Sequence, residues 1–182
     1  MNVVLASASP RRKQILEGAG YFVTVRVSEA DETLPPDITP EKAVELLASV
    51  KAHAVERNED ELIIAADTVV VLDGEILGKP RDEDEAFRML SSLSGRRHTV
   101  YTGVCIIYNE KEEIFSDSTE VEFYPLSPDE ITAYIKTGEP MDKAGAYGIQ
   151  GKGCLFVKGI VGDYFNVMGL PVALINQKIK VF

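Results

Sequence analysis

Arg11, Arg12 and Lys13 follow two hydroxyls in the stretch SASPRRK, directly after the apolar run Val3 to Leu5. Ser9 is placed as an N-cap and Pro10 as the first helical residue, so the stretch reads as a strand-to-helix turn. Such a turn offers the Ser7 and Ser9 hydroxyls, open amides and two guanidinium forks, which together suit phosphate oxygens. The same residues would also serve a capped helix with surface arginines. In AADTVVV, Asp67 and Thr68 interrupt an otherwise apolar run. A buried unpaired carboxylate costs several kcal/mol, so Asp67 is expected to face a cleft, a cation or a metal.

Three further groups could join that chemistry. Lys79 in GEILGKP is expected on a tight turn within reach of phosphate, although Pro80 stands where a Walker motif needs Ser or Thr. Glu29, Asp31 and Glu32 form an acidic cluster whose oxygens could ligate Mg²⁺ or simply be solvated. Lys51 lies beside the apolar stripe of a predicted helix, where spacing alone reads it as a snorkelling side chain. DKAGAYGIQGKG, residues 142–153, places Tyr147 and Gln150 among glycines. A flexible segment with one amide and one ring suits a flat heterocycle, while glycine-rich turns also arise from tight backbone geometry alone.

These residues need elements to hold them. The pattern predicts a short strand at Val3 to Leu5, a helix from Pro10 to Gly20 and a strand at Phe22 to Val27. An acidic loop, SEADETLPPDIT, comes next. Thr39 and Pro40 open a helix to about Arg57 with Ala43, Leu46, Leu47, Val50 and Ala54 buried. A long apolar strand carries AADT and turns at Asp73-Gly74. Asp82 and Glu85 open a helix ending near Gly95, and strands at Thr99 to Tyr108 and Glu113 to Tyr124 flank a polar turn. Ser127, Pro128 and Glu130 start a helix closed by Gly138. After the glycine-rich loop come a strand at Cys154 to Val157 and a helix begun by Pro171. The mixture predicts an α/β fold, with helices around a curved mixed sheet, in a single domain spanning residues 1–182.

Composition narrows the classes. With a net charge of −10 and a pI near 4.7, bulk nucleic acid is an unsuitable partner. Cys105 and Cys154 are far apart in apolar segments and read as buried thiols of a reducing compartment. His53 and His98 are too few and too scattered for a zinc site. No stretch approaches the roughly 18 uncharged residues of a membrane span. A soluble, cytoplasmic protein is the expectation.

LASASPRR, SEADE, the lysine in VKA, AADT, LGKP, LSGRRHTVYTG, DKAGAYGIQG and GDYFNVMGLP together resemble the Maf family of nucleoside triphosphate pyrophosphatases over nearly the whole chain. The resemblance implies the Maf-like, inosine-triphosphatase-like fold, with a long curved mixed sheet flanked by helices in two lobes around a deep cleft. It also implies hydrolysis between the α and β phosphates with a divalent cation, Mg²⁺, Mn²⁺ or Co²⁺, and a homodimer. Asp67 would be the proton acceptor, with Lys51 and Glu29 beside it, and Glu29 and Asp67 would hold the metal. Ser7, Ser9, Arg11, Arg12 and Lys79 would bind the substrate. Arg11, Thr68 and Gln150 would set base specificity, in the manner of the dTTP/UTP subgroup. The alternative is a nucleotide-binding regulatory module of cell division and septum formation without significant turnover.

Overall fold

The computed structural model describes residues 2–27, 29–180 and 182; Ser28, where the acidic loop was expected to begin, lies outside them. Its strands are β1 (Asn2–Leu5), β2 (Val23–Val25), β3 (Glu61–Leu72), β4 (Glu75–Leu77), β5 (Arg97–Tyr108), β6 (Lys111–Phe123) and β7 (Val157–Val161). They form one sheet in the order β2, β1, β3, β5, β6, β7, with β4 paired to β3. β1 runs parallel to β2 and β3, whereas β4 is antiparallel to β3 and β7 to β6. The sheet is therefore mixed. The helices are α1 (Pro10–Gly18), α2 (Pro40–His53), α3 (Glu83–Leu93), α4 (Pro128–Ile135), α5 (Tyr164–Val167) and α6 (Val172–Ile179).

Local chemistry accounts for most boundaries. Ser9, Thr39, Asp82 and Ser127 each cap a helix through a side-chain oxygen, and Ser127 with Glu130 completes a reciprocal capping box. Asp73 and Gly74 both adopt positive φ, 54° and 85°, as a two-residue hairpin between β3 and β4 demands.

Two compact units divide the chain. The first comprises Met1–Thr68, Thr102–Asp117 and Gly169–Phe182, and the second Val69–Tyr101 and Ser118–Met168. In the first, Val4, Ala6, Ile63, Ala65, Cys105 and Ile107 pack with Ala48, Ala52 and Val55. In the second, α3 and α4 supply Leu90, Leu93, Ile131 and Tyr134 to a core that also holds Val70, Phe123, Tyr147 and Phe156.

Several expectations shift. α2 stops at His53, and its buried residues are Ala43, Val44, Leu47, Ala48 and Ala52, whereas Leu46 is exposed. The reason is close approach: a Cβ placed on Gly103 would lie 2.2 Å from the Val44 carbonyl carbon. Contact that tight favours the helix face carrying alanines. β7 starts at Val157, because residues 151–156 form a 3₁₀ turn, and Cys154 on that turn is exposed rather than buried. The short α5 was not anticipated; Asp163 caps it, and buried Asn166 donates to the Val100 carbonyl and Thr119 Oγ1.

Gly103→Ala tests the contact between β5 and α2. Since the added methyl would meet backbone rather than a movable side chain, the variant should lose about 3 kcal/mol or more, read as a lower urea midpoint.

Candidate active site

The first unit gathers most of the residues singled out for chemistry. α1 buries Ile15 and Leu16, and Arg12 in its first turn reaches back over the turn that precedes it. Its guanidinium donates three hydrogen bonds in three directions: Nη1 to Ser7 Oγ at 2.9 Å, Nη2 to Thr68 Oγ1 at 3.1 Å, and Nε to the Gly169 carbonyl at 2.8 Å. Thr68 Oγ1 also meets Thr102 Oγ1 at 2.9 Å, and Ser7 Oγ accepts from the Ser9 amide. Gly169 has a φ of +106°, and its missing side chain leaves room for Thr68 and Arg12. Burial pulls the Arg12 guanidinium below its ordinary pKa, and the nearby Asp67 carboxylate opposes that fall.

Asp67 and Thr68 are half-buried in the middle of β3, between buried residues 62–66 and 69–72. Lys51, from the last turn of α2, puts its Nζ 2.6 Å from Asp67 Oδ1. The side chains of Lys51 and Asp67 are only 18% and 15% exposed. Lys51 Nζ also lies 3.3 Å from Glu32 Oε2, in the acidic loop, whose side chain is 56% exposed. Lys51 thus bridges two carboxylates, one nearly buried and one wet.

Of the remaining expected residues, Glu29 is exposed on the acidic loop, and Arg11 is half-buried in the first turn of α1. Lys79 and Gln150 belong to the second unit and are exposed. Lys79 follows β4, and the preceding Gly78 carbonyl accepts from the Gly145 amide at 3.0 Å. Tyr147 is not available to a ligand ring. It is buried, its hydroxyl sits 2.7 Å from His98 Nε2, and its ring packs edge-on against Phe123.

A family model described as Maf-like protein matches residues 2–182. The chain belongs to the Maf family. A relative named dTTP/UTP pyrophosphatase from Bacillus velezensis is 51% identical over 181 residues, covering 99% of this chain and 96% of the relative. Another of that name, from Bacillus cereus strain B4264, is 50% identical over 181 residues, covering 99% and 95%. Among solved structures, the Staphylococcus aureus Ham1 protein matches with a TM-score of 0.46 and 16% identity over 68% of this chain and 72% of that one.

Two residues of this Maf chain gain weight from geometry that spacing could not supply. Glu32, rather than Glu29, is the loop carboxylate in contact with Lys51. Arg12, in the first turn of α1, meets Thr68.

The donor set suits a hard divalent cation. Mg²⁺ takes one or two carboxylates and completes its shell with water and substrate phosphates, so it needs no all-protein cage. Among the described residues, no three His, Cys, Asp or Glu side chains converge as such a cage. Asp67 and Glu32, brought to a common lysine, form a two-carboxylate set of that kind.

Arg12→Lys should lose at least two of the three guanidinium bonds, because one ammonium cannot copy the planar fork. A destabilisation of about 2–3 kcal/mol is expected, measured by urea unfolding, at roughly 1 kcal/mol or more for each buried acceptor left unmet.

Proposed function

We propose that this chain is a nucleoside triphosphate pyrophosphatase acting on dTTP and UTP, cleaving between the α and β phosphates to give the monophosphate and pyrophosphate. The observation that carries the reading is Lys51 held on Asp67 in the middle of an apolar strand, beside Arg12 and its hydroxyl partners. The full-length relatives support the substrate class by their names.

Hydrolysis of a phosphoanhydride demands positioning and neutralisation of developing charge more than covalent chemistry. Arg12, anchored by Ser7, Thr68 and Gly169, presents a fixed cation that pays little ordering entropy when phosphate arrives. Ser9, Arg11 and Lys79 add hydroxyl and cationic contacts to the triphosphate. Lys51 supplies a second cation, held on Asp67. Its contact with wet Glu32 is the weaker of its two, and exposed ion pairs contribute little, so a phosphate oxygen replaces Glu32 there at small cost. Asp67 orients the attacking water and accepts its proton. A bound divalent cation, held by Asp67 with Glu29 and Glu32 of the acidic loop as further oxygen donors, would spread the charge of the polyphosphate.

Base choice is assigned to Gln150, with Thr68 and Arg11 as the other specificity positions and Arg12 added by its contact with Thr68. Thymine and uracil present an N3 hydrogen beside a carbonyl at O4, which one amide can satisfy by accepting and donating together. Cytosine reverses both. The enzyme is expected to act in the cytoplasm as a homodimer on free nucleotides.

Asp67→Asn keeps the shape but removes the basic oxygen and the charge. Turnover of dTTP with Mg²⁺ should fall by about 10²- to 10⁴-fold while nucleotide binding persists. Product analysis of the wild-type reaction should show pyrophosphate and thymidine monophosphate; orthophosphate as the first product would point to a different reaction. Gln150→Ala should erase the preference for dTTP over dCTP, measured as the ratio of kcat/KM values, with the phosphate contacts intact.

A further inference from the structure

Gln150 sits in a segment that its glycines suggest is loose, yet the backbone before it is tied to a phenol and the backbone after it to a carboxylate, and those two groups are bonded to each other. Glu139, on a 3₁₀ turn following α4, accepts from the Lys152 amide through Oε2 at 3.1 Å and from the Gly153 amide through Oε1 at 3.2 Å. Tyr134 of α4 donates its hydroxyl to Glu139 Oε1 at 2.9 Å and accepts from the Gly148 amide at 3.1 Å. One acid and one phenol therefore hold amides at 148, 152 and 153, two residues before Gln150 and two and three after it.

The glycines fit this clamp. Gly151 has a φ of +81°, and a Cβ there would lie 2.9 Å from Glu139 Oε2. At Gly153 a Cβ would fall 2.2 Å from the Gly148 carbonyl oxygen and 2.9 Å from the Tyr134 hydroxyl. Both positions are glycine so that backbone can close round the carboxylate and phenol. Successive amides opening a helical turn make an anion nest, and here the protein fills the nest with its own carboxylate. Burial would raise the Glu139 carboxyl, but the Lys152 and Gly153 amides hold it below the usual carboxylate range. Tyr134 is fixed in turn by edge-on packing against Phe156, with ring centroids 4.9 Å apart.

The geometry points to Glu139 and Tyr134 as positioning residues for base selection: they act through the backbone at 148–153 to fix the direction in which the Gln150 amide is presented. This rests on the assignment of base reading to Gln150. An amide that reads donor and acceptor positions discriminates only if it cannot rotate or shift to match the wrong edge. Glu139→Gln leaves one acceptor where two oxygens served three donors, so the 152–153 side of the clamp opens. Tyr134→Phe keeps the ring on Phe156 and removes the tie to Gly148.

The test uses the full chain with Mg²⁺ and compares dTTP with dCTP. Each of Glu139→Gln and Tyr134→Phe should lower the dTTP:dCTP ratio of kcat/KM by about tenfold, through KM for dTTP more than through kcat. Combining Glu139→Gln with Gln150→Ala should give no further loss of selectivity beyond Gln150→Ala, because both act on one contact. Amide exchange at Lys152 and Gly153 should quicken in Glu139→Gln. A merely structural role would lower the amount of folded enzyme and leave the ratio unchanged. If Gln150→Ala abolishes selectivity while both clamp variants keep it, the positioning role is overturned and base reading stands. If Gln150→Ala itself leaves selectivity intact, base reading falls and the positioning role falls with it. Should Glu139→Gln not fold, Tyr134→Phe alone decides between the first two outcomes.

Discussion

A carboxylate in the middle of a buried strand needs a counter-charge, and the first unit is arranged around that need. Asp67 follows five buried residues of β3 and, after Thr68, precedes four more. Without Lys51 its charge would face a desolvation cost of several kcal/mol. The lysine must come from an element lying close over the strand. α2 can lie that close because Gly103 of β5 carries no side chain and because Ala48 and Ala52 are small. Lys51, three residues after Ala48 and next to Ala52, then stands at the edge of the buried face, with its stem covered and its ammonium on Asp67. A glycine on one strand thus bears on the pairing of an acid on another.

Arg12 solves a related problem by a different route. Its three bonds go to two hydroxyls and a carbonyl rather than to a carboxylate, so its positive charge is held in place without being neutralised by its immediate partners. Lys51 is already matched to acids. Arg12 is therefore anchored by dipoles and Lys51 by charge. For a chain with a net charge of −10, the first kind of anchoring matters, since a polyanion meets an acidic protein and must find local positive potential.

Features set by short-range rules were legible in the sequence. Ser9-Pro10, Thr39-Pro40 and Ser127-Pro128 announce helix starts because a cap and a fixed φ act within one turn, and Asp73-Gly74 announces a hairpin for the same reason. Long-range pairings were less so. The spacing around Lys51 reads as a lysine stem on an apolar stripe, which is correct for the stem; its partner on β3 is 16 residues away in sequence, and only the fold brings it near. That Glu32 of the acidic loop meets Lys51 depends on the path of an irregular loop, for which no periodicity exists. Cys154 reads as apolar by its neighbours Leu155 and Phe156, but a 3₁₀ turn presents consecutive side chains to different sides, and the thiol is exposed while Phe156 is buried.

The glycine-rich stretch shows how one composition can carry two opposite mechanical meanings. Glycine weakens a segment when nothing occupies the space its side chain leaves, because the unfolded chain then has more freedom to lose. At Gly145 that space is filled by Val70, 2.9 Å from the position of a Cβ, and at Gly151 and Gly153 by a carboxylate, a phenol and a carbonyl. Tyr147 is pinned between Phe123 and His98, and burial pushes the His98 pKa down to about 4, so the imidazole stays neutral near pH 7 in that apolar setting. What composition presents as a hinge is therefore a backbone packed at distances other residues could not reach. Gln150 is exposed on it, and a polar group on stiff backbone loses little entropy on meeting a ligand edge, which is the physical condition for selectivity rather than mere adhesion.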